Sequence, residues 1–527
     1  LTSKGRIAKA AGAMSFATLI SRIFGYIKDM ILAKYFGATG TSDIFFVAFR
    51  IPNLLRDLVA EGSMSSAFIP VLTESQTKNG KDDANRLVRA TFLLVLIVVG
   101  FLCILGIILA PFIVSAVAPG FKADPEKFSL TVLLTRVMFP FLLFISLASV
   151  SMGALNTRGV FFIPALAPTF LNISIIVCVF ALSVHFFNPI VAVAIGVTLG
   201  GLIQFLFQLP SFKNKGYTFF TKSKDTEAKK IWHPGLKKIG LLIIPSITGL
   251  AVVQINIFVS TILASYLQEG SITYLYYSMR LVQFPIGLFG VAMGMAVLPA
   301  LSEHAAKKQF NNLKEDFSFA LRLLFFITIP AMIGLIALKQ PIVNTLFQRG
   351  EFSYSATVGT SDALMFYSFG IWAIVGVRVL ASTYYSMQDT KTPVKIAIFS
   401  MILNIIFSLL LMNPLQHNGL ALANALASMS NFILLFYFLR IKLGGIGTFR
   451  IAMSFLKILT ASSIMGIFGW FTLQGELWRT DGGFLMKSFY LSITIIISIV
   501  IYFIISYVLK SEEMNYILGK FFKKKSN

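Results

Sequence analysis

Apolar runs long enough to cross a bilayer follow one another along almost the whole chain. They cover about residues 10–36, 43–72, 88–117, 128–156, 160–186, 187–212, 238–268, 272–302, 317–346, 359–388, 392–413, 418–442, 450–474 and 484–510, with short polar or charged breaks between them. A helix needs about 20 residues to cross roughly 30 Å of hydrocarbon, so the pattern predicts an all-α integral membrane protein with about 14 spanning helices. The first run retains charges and is followed by no small-residue cleavage site, which reads as a permanent helix and not a signal peptide.

Composition points the same way: of 527 residues, 56% are hydrophobic and 13% charged, and the mean hydropathy is +0.81. Such a chain is not a soluble globular domain. Basic residues gather before the first run (Lys4, Arg6, Lys9), between the second and third (Lys78, Lys81, Arg86, Arg89) and in the linker after the sixth (Lys213, Lys215, Lys222, Lys224, Lys229, Lys230, Lys237, Lys238). They recur after the eighth run (Lys307, Lys308, Lys314), after the twelfth (Arg440, Lys442) and at Lys523, Lys524 and Lys525. The intervening loops lack Lys and Arg or pair them with acids. Because cytoplasmic loops hold the basic excess, both termini are expected in the cytoplasm. The net charge of +23 is then a matter of topology, and no nucleic-acid partner is expected, since no soluble domain exists to present a basic groove. Cys103 and Cys178 lie inside apolar runs and read as packed thiols.

The chain also repeats itself. "IPVLTES" from Ile69 matches "LPALSEH" from Leu298, "PFIVSAVAPG" from Pro111 matches "PIVNTLFQRG" from Pro341, and "FLNI" from Phe170 matches "ILNI" from Ile402, an offset of about 230 throughout. This predicts two six-helix lobes in the same orientation: 1–212, and 238–442 after a basic cytoplasmic linker at 213–237. Two further helices follow within 443–510, then a basic cytoplasmic tail at 511–527. In such a duplicated transporter the ligand site is expected between the copies.

Charges inside the apolar runs mark candidate chemistry. The first run carries Arg22, Lys28 and Asp29 in "SRIFGYIKD". At the bilayer centre these three would cost roughly 7–10 kcal/mol, while the run's Leu, Ile and Phe residues return about 2–5 kcal/mol, so full lipid exposure is excluded. Ser21, Gly25 and Asp29 share a helical face with Arg22 beside it, whereas Lys28 lies about 120° from Arg22 on an ideal helix. Either Gly25 bends the helix or Lys28 snorkels. The second run holds Asp43, Arg50, Arg56, Asp57 and Glu61, with Pro52 and Gly62 as breaks; the eighth holds Arg280. For Asp43, Arg50 and Asp57 an internal salt bridge or an interfacial position is at least as good an account as a functional role. Arg22, Arg56 and Arg280, with few acids to neutralise them, describe a cationic chamber for an anionic ligand, and phosphate suits Arg through bidentate hydrogen bonds.

With these residues in view, the chain resembles the MurJ (MviN) lipid II flippases of the MOP exporter superfamily along nearly its whole length. The matching stretches are "SRIFGYIKD", "DIFFVAFRIPNLLRDLVAEGSMSSAFIPVL", "ALNTRGVFFIPALAPTFLNIS", "YYSMRLVQFPIGLFGVAMG" and "QDTKTPVKIAI". The resemblance implies a V-shaped pair of lobes alternating between inward-open and outward-open states, with the two terminal helices forming a lipid-tail groove. It also implies lipid II as substrate. Family positions carry over onto Ser21, Arg22, Asp29, Asp43, Arg56 and Arg280, with Glu61 as gating or salt-bridge partner. Lys28 and Asn53 complete the substrate-binding set, and Gly25 and Pro52 join the acids as gating and structural positions. Lys28 stands where the family usually has Arg, which keeps the charge and loses the planar fork. Gln283 replaces an acid seen in some relatives. Some relatives hold Na⁺ through carboxylates; Asn256, Asn404 and Ser408 are the neutral candidates here, so no metal site is expected.

No catalytic constellation competes with this reading. His185, His233, His304 and His417 are scattered without metal-ligand spacing, and there is no HExxH and no Gly-rich phosphate loop ahead of a helix. The expectation is a monomeric flippase of the bacterial inner membrane with no cofactor, its partners being lipid II, membrane lipids and candidate cell-wall synthesis proteins. The alternative is a sibling on the same scaffold, an O-antigen-type flippase or a cation-coupled drug exporter.

Overall fold

The computed structural model describes residues 3–58, 63–218 and 232–523. Glu61, linker residues 219–231 and the terminal Lys524 and Lys525 lie outside them. Among the described residues every regular element is helical, and ten segments are long and apolar enough to cross a membrane. The chain forms two compact units, Leu1–Tyr266 and Leu267–Asn527.

The first unit runs α1 (Ser3–Phe36), α2 (Gly40–Arg56), α3 (Ser63–Lys78), α4 (Gly80–Val117), α5 (Pro125–Thr157), α6 (Phe162–Leu166), α7 (Pro168–Leu182), α8 (Ile190–Asn214) and α9 (Gly235–Ala264). The start of α5 is written in "DPEK". The Asp124 carboxylate accepts from the Glu126 and Lys127 amides at 3.0 and 3.1 Å, and Pro125 supplies the first-turn φ. Helices α7 and α8 meet through small residues: a Cβ at Gly196 would stand 2.8 Å from Cα of Ile175, and one at Gly200 2.9 Å from Cα of Leu171. This is the close small-xxx-small approach that associates helices in lipid, where no hydrophobic force is available between them. A core of Phe68, Leu72, Leu87, Phe92, Phe212 and Tyr217 closes one end.

Helix α9, expected with the second lobe, packs against α3 and α4 and falls in the first unit. Ser265, which caps its C-terminus, accepts at its hydroxyl a hydrogen bond from the Gly120 amide at 3.2 Å. A Cβ at Gly120 would stand 2.2 Å from the Ser265 carbonyl oxygen, so the turn after α4 admits only glycine there.

The second unit runs α10 (Ser271–Pro285), α11 (Val291–Ala306), α12 (Phe310–Ala337), α13 (Lys339–Phe347), α14 (Tyr354–Ser368), α15 (Ile371–Ser386), α16 (Lys391–Leu415), α17 (His417–Leu443), α18 (Thr448–Thr472), α19 (Phe484–Val508) and α20 (Glu512–Lys523). Pro125–Thr157 and Tyr354–Ser386, one offset apart, are the most buried spans, each 61% buried across its apolar window. A small-residue approach recurs too, a Cβ at Gly419 of α17 meeting the Leu411 carbonyl of α16.

Several predicted runs are broken in the structure. The eighth splits into α10 and α11 around Pro285 and a π turn at Ile286–Gly290, the ninth into α12 and α13, and the tenth into α14 and α15; the second is described as α2 and α3 on either side of residues 59–62. The "QDTKTP" stretch is a cap and a tie. Asp389 accepts from the Thr392 amide and hydroxyl at 3.1 and 2.9 Å and from Lys442 Nζ at 2.6 Å, and the Lys442 ammonium, with Thr392, holds its carboxyl down at about 2. The segment expected as a tail is the helix α20. Arg322 of α12, 4% exposed, donates to Glu512 and Glu513 at 2.6 and 2.8 Å, and Ser454 of α18 donates to Glu513 at 3.0 Å.

Candidate functional site

Helix α1 runs unbroken through Gly25. Lys28 Nζ lies 2.9 Å from Asp29 Oδ1, with side-chain exposures of 11% and 0%. Lys28 therefore does not snorkel to lipid. A buried counter-charge replaces the lipid interface as the means of holding its ammonium, because an ion pair inside the bundle avoids the cost of a lone charge in hydrocarbon. Arg22 and Ser21 are half-buried on the same helix. The Ser21 carbonyl accepts from Nδ2 of Asn172 at 3.4 Å, and Tyr35 meets Phe180 edge-on with centroids 5.7 Å apart, so α7 sets the position of α1.

The turn into α2 is made by Gly37 at φ 60 and by Ser42, whose hydroxyl donates to the carbonyls of Phe36 and Gly37 at 3.1 and 2.8 Å. Asp43 is buried in the first turn of α2, where the amide end of the helix favours an anion. Pro52 is buried within α2, and Asn53 and Arg50 are half-buried. Arg56 is ion-paired: its Nε and one terminal nitrogen donate to Asp57 Oδ1 at 3.3 and 2.9 Å. Asp57 Oδ2 accepts from Gln254 of α9 at 3.3 Å. The expectation that Arg56 is short of nearby acids is thus corrected. Its neighbour in sequence turns onto it where α2 ends in a π turn at residues 57–58. Glu61 lies just beyond, outside the described residues.

In the second unit Arg280 sits half-buried on α10. That helix is fixed by Ser278, which donates to the Thr360 carbonyl of α14 at 2.9 Å. The same unit holds a cation that the charge pattern did not single out. Arg378 of α15 is half-buried, and its side chain lies along the interrupted helix: a Cβ at Gly290 would stand 3.5 Å from Arg378 Cδ, and one at Gly294 3.8 Å from its Cβ. Among the described residues no hydrogen bond or ion pair engages its guanidinium. A lone Arg in "GIWAIVGVRVLAS" is the signal that would have found it. Asn172 was also missed; the paired "FLNI" and "ILNI" motifs pointed to it and to Asn404, which is 2% exposed.

Cations, polar amides and acids on helices of this kind can bind and release an anion. Among the described residues no group of three or more His, Cys, Asp or Glu side chains is arranged to hold a metal.

Comparison with known proteins adds to this geometry. The profile of the family described as "Lipid II flippase MurJ" matches residues 32–489. The "Probable lipid II flippase MurJ" of Vibrio cholerae is 38% identical over 444 residues, 83% of each chain. The "Lipid II flippase MurJ" of Burkholderia cenocepacia is 36% identical, covering 80% of this chain and 82% of its own. A solved structure titled "Lipid II flippase MurJ, inward closed conformation" superimposes with a TM-score of 0.76 at 29% identity, covering 94% of this chain and 98% of its own. An inward-facing multidrug-resistance MATE transporter of the MOP superfamily follows at TM-score 0.66 and 16% identity, covering 83% of this chain and 99% of its own, a likeness of fold alone.

Proposed function

The chain belongs to the lipid II flippase MurJ family, and from that premise we propose that it moves lipid II from the inner to the outer leaflet of the bacterial cytoplasmic membrane by alternating access, without bond chemistry. The observation that carries this reading is the family match across residues 32–489, together with the intramembrane cations. Arg22, Lys28 and Arg56 on the first unit, and Arg280 on the second, meet the pyrophosphate during the cycle. Arg378 joins them, because a guanidinium with no partner inside an apolar helix is costly unless a ligand engages it. Ser21 and Asn53 hydrogen-bond the ligand. Asp29, Asp43 and Glu61 hold helix geometry and gating, with Gly25 and Pro52 as the positions that let the backbone adjust. The terminal helices guide the prenyl tail, and both termini face the cytoplasm.

The ion pairs suggest how binding and movement are coupled. Pyrophosphate competes with Asp57 for Arg56; release of Asp57 loosens its bond to Gln254, so ligand and helix α9 are linked through one carboxylate. A membrane potential, negative inside, supplies about 2.3 kcal/mol per charge per 100 mV. Outward passage of a pyrophosphate with about two negative charges is downhill, and the emptied cations are drawn back inward.

Complementation of a flippase-depleted strain, with lipid II accessibility assayed from outside, tests the activity. Collapse of the potential by valinomycin with K⁺ is expected to stop flipping, and replacement of Na⁺ by choline at constant potential is expected to leave it intact. The reverse pattern would refute the drive and favour a cation-coupled exporter.

A further inference from the structure

We propose that the second unit carries a lipid site, separate from the substrate's path, that takes one zwitterionic aminophospholipid of the outer leaflet. A cavity of about 700 Å³ opens between α12, α13, α18 and the segment that follows α18. Its walls are apolar: Ile333 and Ala337 of α12 face Gly466, Ile467 and Trp470 of α18. Gly466 is required for this packing, because a Cβ there would stand 2.5 Å from Ile333 Cγ2. No residue of α19 lines the cavity, so it is not a groove between the two terminal helices.

The mouth is rigid in its backbone and open in its charges. Leu473 and Trp478 are buried with Leu338. Asn344 Nδ2 donates to the Trp478 carbonyl at 2.9 Å, Gln348 Nε2 donates to the Arg479 carbonyl at 2.9 Å and to Asp481 Oδ1 at 2.8 Å, and Lys487 Nζ donates to the Thr480 carbonyl at 2.6 Å. Asn344 and Gln348 are the polar positions of the repeated "PIVNTLFQRG" stretch, and this is what they hold. The Lys339 ammonium at the mouth is already taken by Asp362 at 2.6 Å. The side chains of Glu476 and Arg479, both lining the mouth and exposed, make no hydrogen bond or ion pair among the described residues.

The occupant follows from the medium and the charges. Helices α12 and α18 are long and apolar enough to span a membrane, so lipid is the medium that meets their apolar walls, and the half-exposed Trp470 suits the headgroup level. One guanidinium and one carboxylate, held three residues apart above an apolar trough, match a headgroup that carries a phosphate and a primary ammonium. Arginine takes the phosphate through paired hydrogen bonds and glutamate takes the ammonium. A glycerol headgroup would leave Glu476 facing an anionic lipid with no cation of its own. The outer leaflet rests on the orientation proposed above: both helices begin beside basic residues, Lys307 and Lys308 for one and Arg440 and Lys442 for the other, and the cavity lies at their far ends.

The test uses the full chain purified in mild detergent, mixed with equal amounts of phosphatidylethanolamine and phosphatidylglycerol and examined by native mass spectrometry. One retained phosphatidylethanolamine per chain is expected, favoured about fivefold over phosphatidylglycerol. Glu476→Gln should erase the preference while retaining a lipid, Arg479→Gln should weaken both adducts, and Ser463→Trp, which fills the cavity, should remove them. Equal binding of the two lipids by the unaltered chain, adducts unchanged in Arg479→Gln, or displacement of the adduct by equimolar lipid II would overturn the proposal. Since Glu476 and Arg479 are exposed, their variants fold even if Ser463→Trp does not. Lipid II translocation measured on the same preparations reports separately on the flippase reading.

Discussion

Lys28 and Asp29 are neighbours in sequence and close into a 2.9 Å ion pair buried inside the first unit. Adjacent residues point about 100° apart on a helix, so the contact needs the long lysine side chain to fold back over the carboxylate. Lys28→Met removes an ion-pair partner of the fully buried Asp29 and should cost up to about 3–5 kcal/mol. Lys28→Arg should retain most of the stability. Thermal unfolding in detergent distinguishes them; equal melting temperatures for the two variants would show that the pair contributes little.

Arg56→Ala should abolish complementation while the protein still reaches the membrane, because the lost group meets ligand. Asp57→Asn should retain partial activity, since it keeps the guanidinium and removes only the carboxylate charge that competes with the ligand for it. Arg50→Ala should be mild. The readouts are growth of the depleted strain and the amount of protein in the membrane fraction; full growth with Arg56→Ala would remove Arg56 from the binding set.

Arg378→Ala should reduce flipping with little change in melting temperature, as no described protein group relies on its guanidinium. Arg378→Lys should recover part of the activity through charge alone. A large fall in melting temperature without loss of flipping would make Arg378 a packing residue.

Gly196→Leu should lower the melting temperature by several degrees, because the new side chain meets the backbone of Ile175 and must push two helices apart. Gly100→Ala is the control. Nothing lies within 4 Å of a Cβ at Gly100, so that change should be neutral or stabilise by up to about 1 kcal/mol through helix propensity.

Single cysteines at Gly270 and Asn418 should react with an impermeant thiol reagent from outside the cell, and one at Ser223 only after the membrane is opened. External labelling at Ser223 would invert the orientation.

The helical character of this chain was legible in sequence because hydrocarbon cannot solvate a peptide group. Each crossing must satisfy its own backbone over about 20 apolar residues, and that requirement is written locally, run by run. The internal repetition is likewise a local feature, Asn172 and Asn404, or Pro111 and Pro341, recurring at an offset of about 230. Which charge answers which was not local. Asp57 meets Gln254 across 197 positions, Ser21 meets Asn172 across 151, and Arg322 meets Glu513 across 191. Helical spacing says which face a side chain shares, but the cost of a buried charge is settled by whatever the other helices bring to that face. Only the tertiary structure decided that Lys28 is paired and not snorkelling, that Arg56 is held by Asp57, that Arg378 is left without a partner among the described residues, and that a polar network pins the segment after α18 over an apolar cavity.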